Sequence, residues 1–510
     1  MRLNRDENRI SRFFVRKNVY RGGVLALKNV RKNVYNMDET ERNIVRTFVK
    51  GDDFMDRNVT KEFEKWLKST RKTALFVDGA RQIGKTYSLR EFGRAHYAHF
   101  AELNFLEDPA AKAIFDGNLD ADTLVTNLTA YLRTPLEPGN TVVFFDEIQE
   151  CPNARTAIKF LVEDGRFDYM ESGSLLGVNY KHVPSMPVGF ETVVHMYPMD
   201  FEEFCLANGV PENTFHYLRE CYETKTQVTP AVHETMLELF RYYVVVGGMP
   251  AAVQTFVDTR DIGQVMTEQK NILALYRKDI GQYTSEDERV KVTDIFDRIP
   301  SQLDDKNRRF VLSSISSNAR QREYEAAFLW LSNAGVALPC YNLTEPKTPL
   351  KLNEKRSLFK LFLNDVGLLC AAGLDQVQFD ILQGDVSVNM GSVLENVFAE
   401  ELKTAGFDLR YYNGKKIGEV DFIVQKGHAV IPVEVKSGKD YHVHAALNNV
   451  LSVEEWGIGD ALVFCMGNVE QVKTVTYLPW YMIMFFKQNQ LPENMVVALD
   501  LSALAPGDGQ

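Results

Sequence analysis

Three rhythms of apolar and polar positions run along this chain, and each predicts a different kind of element. Unbroken apolar runs come first, in Ala74-Leu75-Phe76-Val77 and Val142-Val143-Phe144-Phe145. Such runs belong to strands covered on both faces of a parallel sheet. Residues 100–105, 167–174 and 191–196 read as further strands, and the helical stretches between them predict a doubly wound sheet from about 55 to 204. Helical periodicity then dominates 202–282, where Phe201-Glu202-Glu203-Phe204 opens one helix and Gly247-Gly248-Met249-Pro250 ends another. Amphipathic helices at 292–299 and 323–334, followed by a strand at 337–343, suggest a winged helix, with a plain helical connector as the other reading. The third rhythm is alternation. Gly418-Glu419-Val420-Asp421-Phe422-Ile423-Val424 reads as one strand, Gln425-Lys426-Gly427-His428 as a turn, and 429–435 as the returning strand. The apolar stretch 478–486, broken by Pro479, reads as a buried strand.

Chemistry enters at the C-terminal ends of the first two runs. Gly79-Ala80-Arg81-Gln82-Ile83-Gly84-Lys85-Thr86 fits G-x-x-x-x-G-K-[ST] without a mismatch, directly after a strand and before a helix. Glycines let the backbone curl so that amides point at phosphate oxygens, and the helix N-terminus adds partial positive charge. Gly79, Ala80, Arg81, Gln82, Ile83 and Gly84 thus form a phosphate cradle. Lys85 reaches the β- and γ-phosphates, and the Thr86 hydroxyl ligates Mg²⁺. Asp146-Glu147 closes the second run: Asp146 holds Mg²⁺ beside Thr86, and Glu147 polarises the attacking water. Ser172, in Ser172-Gly173-Ser174, falls where a hydroxyl senses the γ-phosphate, or it belongs to an ordinary turn. The spacing predicts an ATP-binding protein and an ATPase. No N-K-x-D base-reading motif follows the carboxylate strand, which argues against a GTP switch.

A second constellation lies in the alternating region. Glu434 and Lys436 are two apart and share a strand face, and hairpin pairing brings Asp421 toward them. A helix at 392–403 carries Glu395 alongside. Three acids and a lysine suit metal-dependent phosphodiester hydrolysis. Asp421 and Glu434 bind Mg²⁺ or Mn²⁺, Glu395 completes the shell, and Lys436 positions or deprotonates water. A charged surface strand is the competing reading.

Composition narrows the setting. At 510 residues with 45% hydrophobic content the chain accommodates about three domains. No apolar run reaches the ~18 residues that cross a bilayer, and the arginine-rich start lacks the apolar stretch of a secretory signal. Six scattered cysteines without a C-x-x-C pair read as reduced core thiols of a cytoplasmic protein. Net charge is −11, although the first 35 residues carry ten Lys or Arg against two acids. Nucleic-acid contact would therefore come from local patches, with Arg308, Arg309, Arg320 and Arg322 as candidates. Val15-Arg16-Lys17-Asn18-Val19-Tyr20 recurs at 30–35 within this basic extension.

These motifs resemble a group of prokaryotic AAA-type ATPases that join a P-loop module to a C-terminal nuclease-like domain of unknown function. The resemblance rests on the nucleotide motifs and on Tyr197-Pro198-Met199-Asp200-Phe201-Glu202-Glu203-Phe204. It also rests on Gly247-Gly248-Met249-Pro250, on Leu363-Asn364-Asp365-Val366-Gly367-Leu368-Leu369, and on a set similar to the PD-(D/E)XK signature, Glu395, Asp421, Glu434 and Lys436. It implies an α/β fold: a P-loop NTPase parallel sheet with a helical lid, a winged-helix-like connector and a C-terminal α/β restriction-endonuclease-like domain. The expected division is a basic extension at 1–54, the ATPase core at 55–204, the lid at 205–285, the winged-helix-like region at 286–345, the nuclease-like domain at 346–490 and a tail at 491–510. Gly189-Phe190 stands where relatives carry Gly-Arg, so an arginine finger stays unassigned between Arg81 and Arg166. ATP is the expected ligand, DNA and a second copy of the chain are candidate partners, and no membrane is implied. Two functions follow: an ATPase driving a nuclease-like domain on DNA, or a signalling or scaffold ATPase whose nuclease-like domain only binds.

Overall fold

The computed structural model describes residues 57–132, 136–173, 187–304, 309–310, 321–373, 378, 381–382 and 390–489. The basic extension with its repeat, Ser174, Arg308, Arg320, the side chain of Arg322 and the tail lie outside them.

Helix α1 (Thr60–Lys68) precedes β1 (Ala74–Asp78), α2 (Lys85–His96) and β2 (His99–Asn104). After α3 (Ala121–Leu132) come β3 (Thr141–Asp146), α4 (Pro152–Asp164), β4 (Asp168–Ser172) and β5 (Glu191–His195). The five strands form one parallel sheet in the order β2-β3-β4-β1-β5. Every residue of β1 and β3 is buried, as expected for strands with helices on both faces. Phe105, Phe115 and Phe145 meet edge-on or tilted, with centroids 5.6–5.8 Å apart, and Tyr169 extends the stack. Chain order is not spatial order here: β4 lies between β1 and β3. The C-terminal end of a third strand therefore stands between the phosphate loop and Asp146.

Five helices follow: α5 (Phe201–Ala207), α6 (Glu212–Thr224), α7 (Pro230–Val246), α8 (Pro250–Thr259) and α9 (Ile262–Tyr283). Asp200 caps α5 reciprocally with Glu203, a capping box that satisfies two otherwise orphaned amides. Gly247, at φ +74°, stops α7 where a side chain would strain.

Beyond α10 (Glu286–Asp304) and α11 (Gln321–Asn333), the expected wing takes another form. Strand β6 (Ala337–Leu343) is an inner strand, antiparallel to β7 (Glu354–Leu363) and parallel to β8 (Arg410–Gly414). With β9 (Gly418–Val420) these make a four-stranded sheet, β7-β6-β8-β9. The boundary expected at 345/346 thus falls between two strands of one sheet. Helices α12 (Val366–Gly373) and α13 (Met390–Thr404) lie between β7 and β8 in sequence. Strand β10 (Phe422–Lys426) pairs with β11 (Ala429–Val435); after α14 (Ala445–Leu451), strands β12 (Ala461–Cys465), β13 (Glu470–Val472) and β14 (Val475–Pro479) complete a second sheet, β10-β11-β12-β14-β13.

Two strand expectations need correction. The segment 418–424 is two strands in two sheets, and Asp421 is the residue at which the chain changes sheet, not a mid-strand position. The stretch 478–486 is a strand only to Pro479; Trp480–Phe485 turns into a buried 3₁₀ helix, since Pro supplies no ladder amide. All six cysteines are buried and unpaired. Among the described residues no helix is long and apolar enough to cross a membrane.

Candidate nucleotide and carboxylate sites

The phosphate loop leaves β1 at Asp78 and enters α2 at Lys85. Gly79, Gln82 and Gly84 have φ of +138°, +65° and +93°. A Cβ on Gly79 would lie 2.3 Å from the Met196 carbonyl, so only glycine fits. Ile83 is fully buried and anchors the loop from beneath. Arg57, which sequence reasoning missed, straps it from the side: Nη1 donates to the Ile83 carbonyl (2.7 Å), Nη2 to the Tyr197 carbonyl (2.7 Å) and Nε to Glu203 (3.1 Å). Its nearest partner is 26 residues away and its farthest 146, beyond the reach of any local pattern.

Lys85 folds over this loop and donates to the carbonyls of Gly79 (3.0 Å) and Ala80 (2.7 Å). Burial pushes its ammonium down to about 8, against the pull of Glu147, Asp146 and Asp78. Thr86 Oγ1 donates to Asp146 Oδ1 at 2.9 Å, and Ser172 Oγ donates to the same oxygen. Asn104 Nδ2 donates to the other oxygen at 2.9 Å, a contact without a sequence signal. Burial raises the Asp146 carboxyl, and the Ser172 and Thr86 bonds oppose that rise. Glu147, at φ +54°, accepts from Gln149 Nε2. The hydroxyl of Thr86 and the carboxylate of Asp146 are hard oxygen donors in direct contact, a pair suited to Mg²⁺.

Both arginines considered as fingers are engaged. Arg81 Nη1 pairs with Asp279 Oδ1 on α9 at 2.9 Å, and Tyr276 OH donates to the Arg81 carbonyl at 3.2 Å. Arg166 is held by Asp164 and Asp122, each at 2.7 Å. Tyr276 OH in turn accepts from Asn364 Nδ2 at 3.3 Å. The neighbouring Asp365 accepts from the amides of Gly248 and Leu368, so the Gly-Gly-Met-Pro and Asn-Asp-Val-Gly blocks interlock. A Cβ on Gly248 would lie 2.0 Å from the Met199 carbonyl, which brings the Tyr-Pro block into the same contact.

In the C-terminal sheets, Asp421 Oδ2 accepts the Val435 amide at 2.8 Å, so the hairpin does bring Asp421 to the end of β11. Lys436 Nζ donates to Glu434 Oε1 at 2.7 Å. Glu434 Oε2 is buried without a hydrogen-bond partner among the described residues. Burial, with the charge of Asp421 adding to it, pushes the Glu434 carboxyl up to about 7, and Lys436 opposes this. Glu395 has a different neighbour. Lys360 of β7, fully buried, donates to Glu395 Oε2 at 2.9 Å and Glu419 Oε1 at 2.8 Å. Sequence reasoning missed Lys360 because it sits between apolar neighbours in the second half of β7. Among the described residues no three His, Cys, Asp or Glu side chains converge as metal ligands. Glu395, expected to complete a metal shell, is here in an ion pair with Lys360.

Comparison with known proteins divides the chain into three matched segments. Residues 71–205 match the AAA domain family, 237–378 a domain of unknown function (DUF8612), and 390–483 another (DUF4143). No curated protein sequence matches. Among solved structures, similarity extends to the Walker-type ATPase PABY2304 of Pyrococcus abyssi, at 14% identity over 63% of this chain and 96% of that one, with a TM-score of 0.37. It extends also to ORC1 of Aeropyrum pernix in complex with DNA (11% identity, 64% and 92% covered, TM-score 0.29). AMPPCP-bound DnaA of Aquifex aeolicus gives 14%, 53% and 73%, and 0.24. Loop geometry, sheet and family match agree that residues 71–205 are an AAA-type P-loop domain.

Proposed function

We propose that this chain is a Mg²⁺-dependent ATPase whose nucleotide state is coupled to a nuclease-like C-terminal domain that acts on or binds DNA. One observation carries the ATPase reading: Thr86, Asp146 and Ser172, from three neighbouring elements, meet at the C-terminal edge of the sheet beside the helix that begins with Lys85. Open parallel sheets bind ligands at that edge.

The amides of 79–84 and the ammonium of Lys85 bind the β- and γ-phosphate oxygens once Lys85 leaves the carbonyls it now contacts. Thr86 and Asp146 would hold Mg²⁺, which when bound neutralises charge on the phosphates. Glu147, held by Gln149, orients a water for in-line attack and draws on its proton. Ser172, bonded to Asp146, would report the γ-phosphate to β4. Lys85→Ala should abolish both ATP turnover and the heat of Mg–ATP binding; wild-type rates in that variant would sink the reading.

A second reading is a scaffold ATPase whose nuclease-like domain binds DNA or protein without cutting. The Lys360–Glu395 pair favours it, because it removes one carboxylate from the set that hydrolysis calls for. Plasmid incubated with Mg²⁺ or Mn²⁺, with and without ATP, separates the two. Cleavage lost in Asp421→Ala and Lys436→Ala supports the nuclease; intact DNA across metals and DNA forms supports the scaffold.

A further inference from the structure

We propose that Arg81 is the cation that reads the γ-phosphate in this chain, and that Asp279 of α9 competes with that phosphate for its guanidinium. The inference rests on the ATPase reading and gives Arg81 a role beyond the phosphate cradle.

Two arginines were open for such a role, and the sheet separates them. Arg166 lies just before β4, which begins at Asp168, so it stands at the N-terminal edge of the strands. Asp164 and Asp122 hold it there. Ligands of open parallel sheets bind at the opposite edge. Arg81 is at that edge, in the loop that joins β1 to α2. Its partner Asp279 feels the charges of Glu147 and Lys85 as well as that of Arg81. The pair therefore belongs to the same charge cluster as the residues assigned to the γ-phosphate and the attacking water.

Helix α9 grips residue 81 at two points about one turn apart. Tyr276 OH donates to its carbonyl at 3.2 Å, and Asp279 Oδ1 accepts from its Nη1 at 2.9 Å. A Cβ on Gly335 would lie 3.0 Å from the Ala80 nitrogen, so the turn between α11 and β6 backs the same stretch of loop. With the main chain held from two sides, the side chain is the part able to change partner. Asp279 is buried, and its Oδ2 has no hydrogen-bond partner among the described residues. A contact to one carboxylate oxygen is weaker than the two-point fork that a guanidinium forms on a phosphate. ATP carries that additional anionic group and ADP does not. ATP thus draws Arg81 from Asp279, and α9 loses its side-chain hold on the loop while Tyr276 keeps the main-chain one.

Calorimetric titration of the full chain with Mg²⁺ and either ADP or a non-hydrolysable ATP analogue tests the exchange. Arg81→Ala is expected to weaken the ATP analogue at least about tenfold and ADP by less than about twofold. Asp279→Asn keeps an acceptor for Arg81 but removes the competing charge. It should tighten the ATP analogue about threefold or more and leave ADP unchanged, and that gain should vanish in an Arg81→Ala background. The double variant strands no buried charge, so its loss of preference for the ATP analogue serves as the readout should Arg81→Ala alone not fold. Equal losses of both nucleotides in the Arg81 variants would overturn the γ-phosphate role. No gain from Asp279→Asn, or a gain that survives without Arg81, would overturn the competition. Absence of heat from either nucleotide with the wild-type chain would reject the ATPase reading itself, and this assignment with it.

Discussion

Glu147 occupies a left-handed backbone position that costs a non-glycine residue of order 1–3 kcal/mol, a strain that clusters at functional sites. The turn throws its carboxylate beyond the sheet edge, where Gln149 holds it. Glu147→Gln keeps shape and volume but loses the base. It should bind ATP as wild type does and hydrolyse it about 10²–10⁴-fold more slowly in single-turnover assays. Rapid turnover would reject Glu147 as the catalytic carboxylate. At the root of the loop, His195 Nδ1 bonds to buried Asp78, which raises the imidazole above its ordinary value against the opposing effect of burial. A raised histidine contributes stability that is fully present below its unfolded value of about 6.5 and is lost as pH climbs through the folded value. The melting-temperature gap between wild type and His195→Ala should therefore be widest below about pH 6.5 and shrink as pH rises above it. A gap that widens with pH would contradict the pairing. Contiguous loop residues were legible in the sequence because the motif is contiguous. Arg57, Asn104 and Lys360 were not, since each acts on a residue far along the chain.

At the scale of elements, Asp365 sits where two helices begin. It takes the Gly248 amide, just before α8, and the Leu368 amide, in the first turn of α12. Burial raises its carboxyl to about 6, and these amide bonds oppose the rise. Asp365→Ala orphans buried amides at about 1–3 kcal/mol each, so the denaturation midpoint should drop clearly, with Asp365→Asn retaining part of the loss. An unchanged midpoint would mean that the interlock carries no stability. The periodicity of α10 and α11 was readable, but not the role of the strand that follows. A wing and an inner strand share the same alternation, and only the pairing of β6 with β8 separates them. Asp421 teaches the same point: alternation runs through residues 418–424 although the chain changes sheet there.

For the whole molecule, the Tyr276 phenol links the nucleotide loop to the C-terminal half. Tyr276 OH donates to the Arg81 carbonyl and accepts from Asn364, while Asp279, one turn further along α9, holds the Arg81 guanidinium. Adding a non-hydrolysable ATP analogue should change amide-exchange protection in α9 and, through Asn364, at the β7–α12 junction. In Tyr276→Phe the change in α9 should persist and the change at the junction should fade. Identical patterns in both proteins would remove Tyr276 from the coupling.

The sequence alone determined the phosphate loop, the carboxylates that close β3, the apolar strands of the AAA-type sheet and the proximity of Glu434 to Lys436. Each is written within a few residues, where chain geometry fixes which side chains share a turn or a face. Tertiary structure decided strand order and partnership. It put β4 between β1 and β3 so that Ser172 meets Asp146, brought Arg81 to a carboxylate 198 residues away, and gave Glu395 a lysine. Periodicity says which face of an element is buried; what it is buried against depends on how distant elements pack.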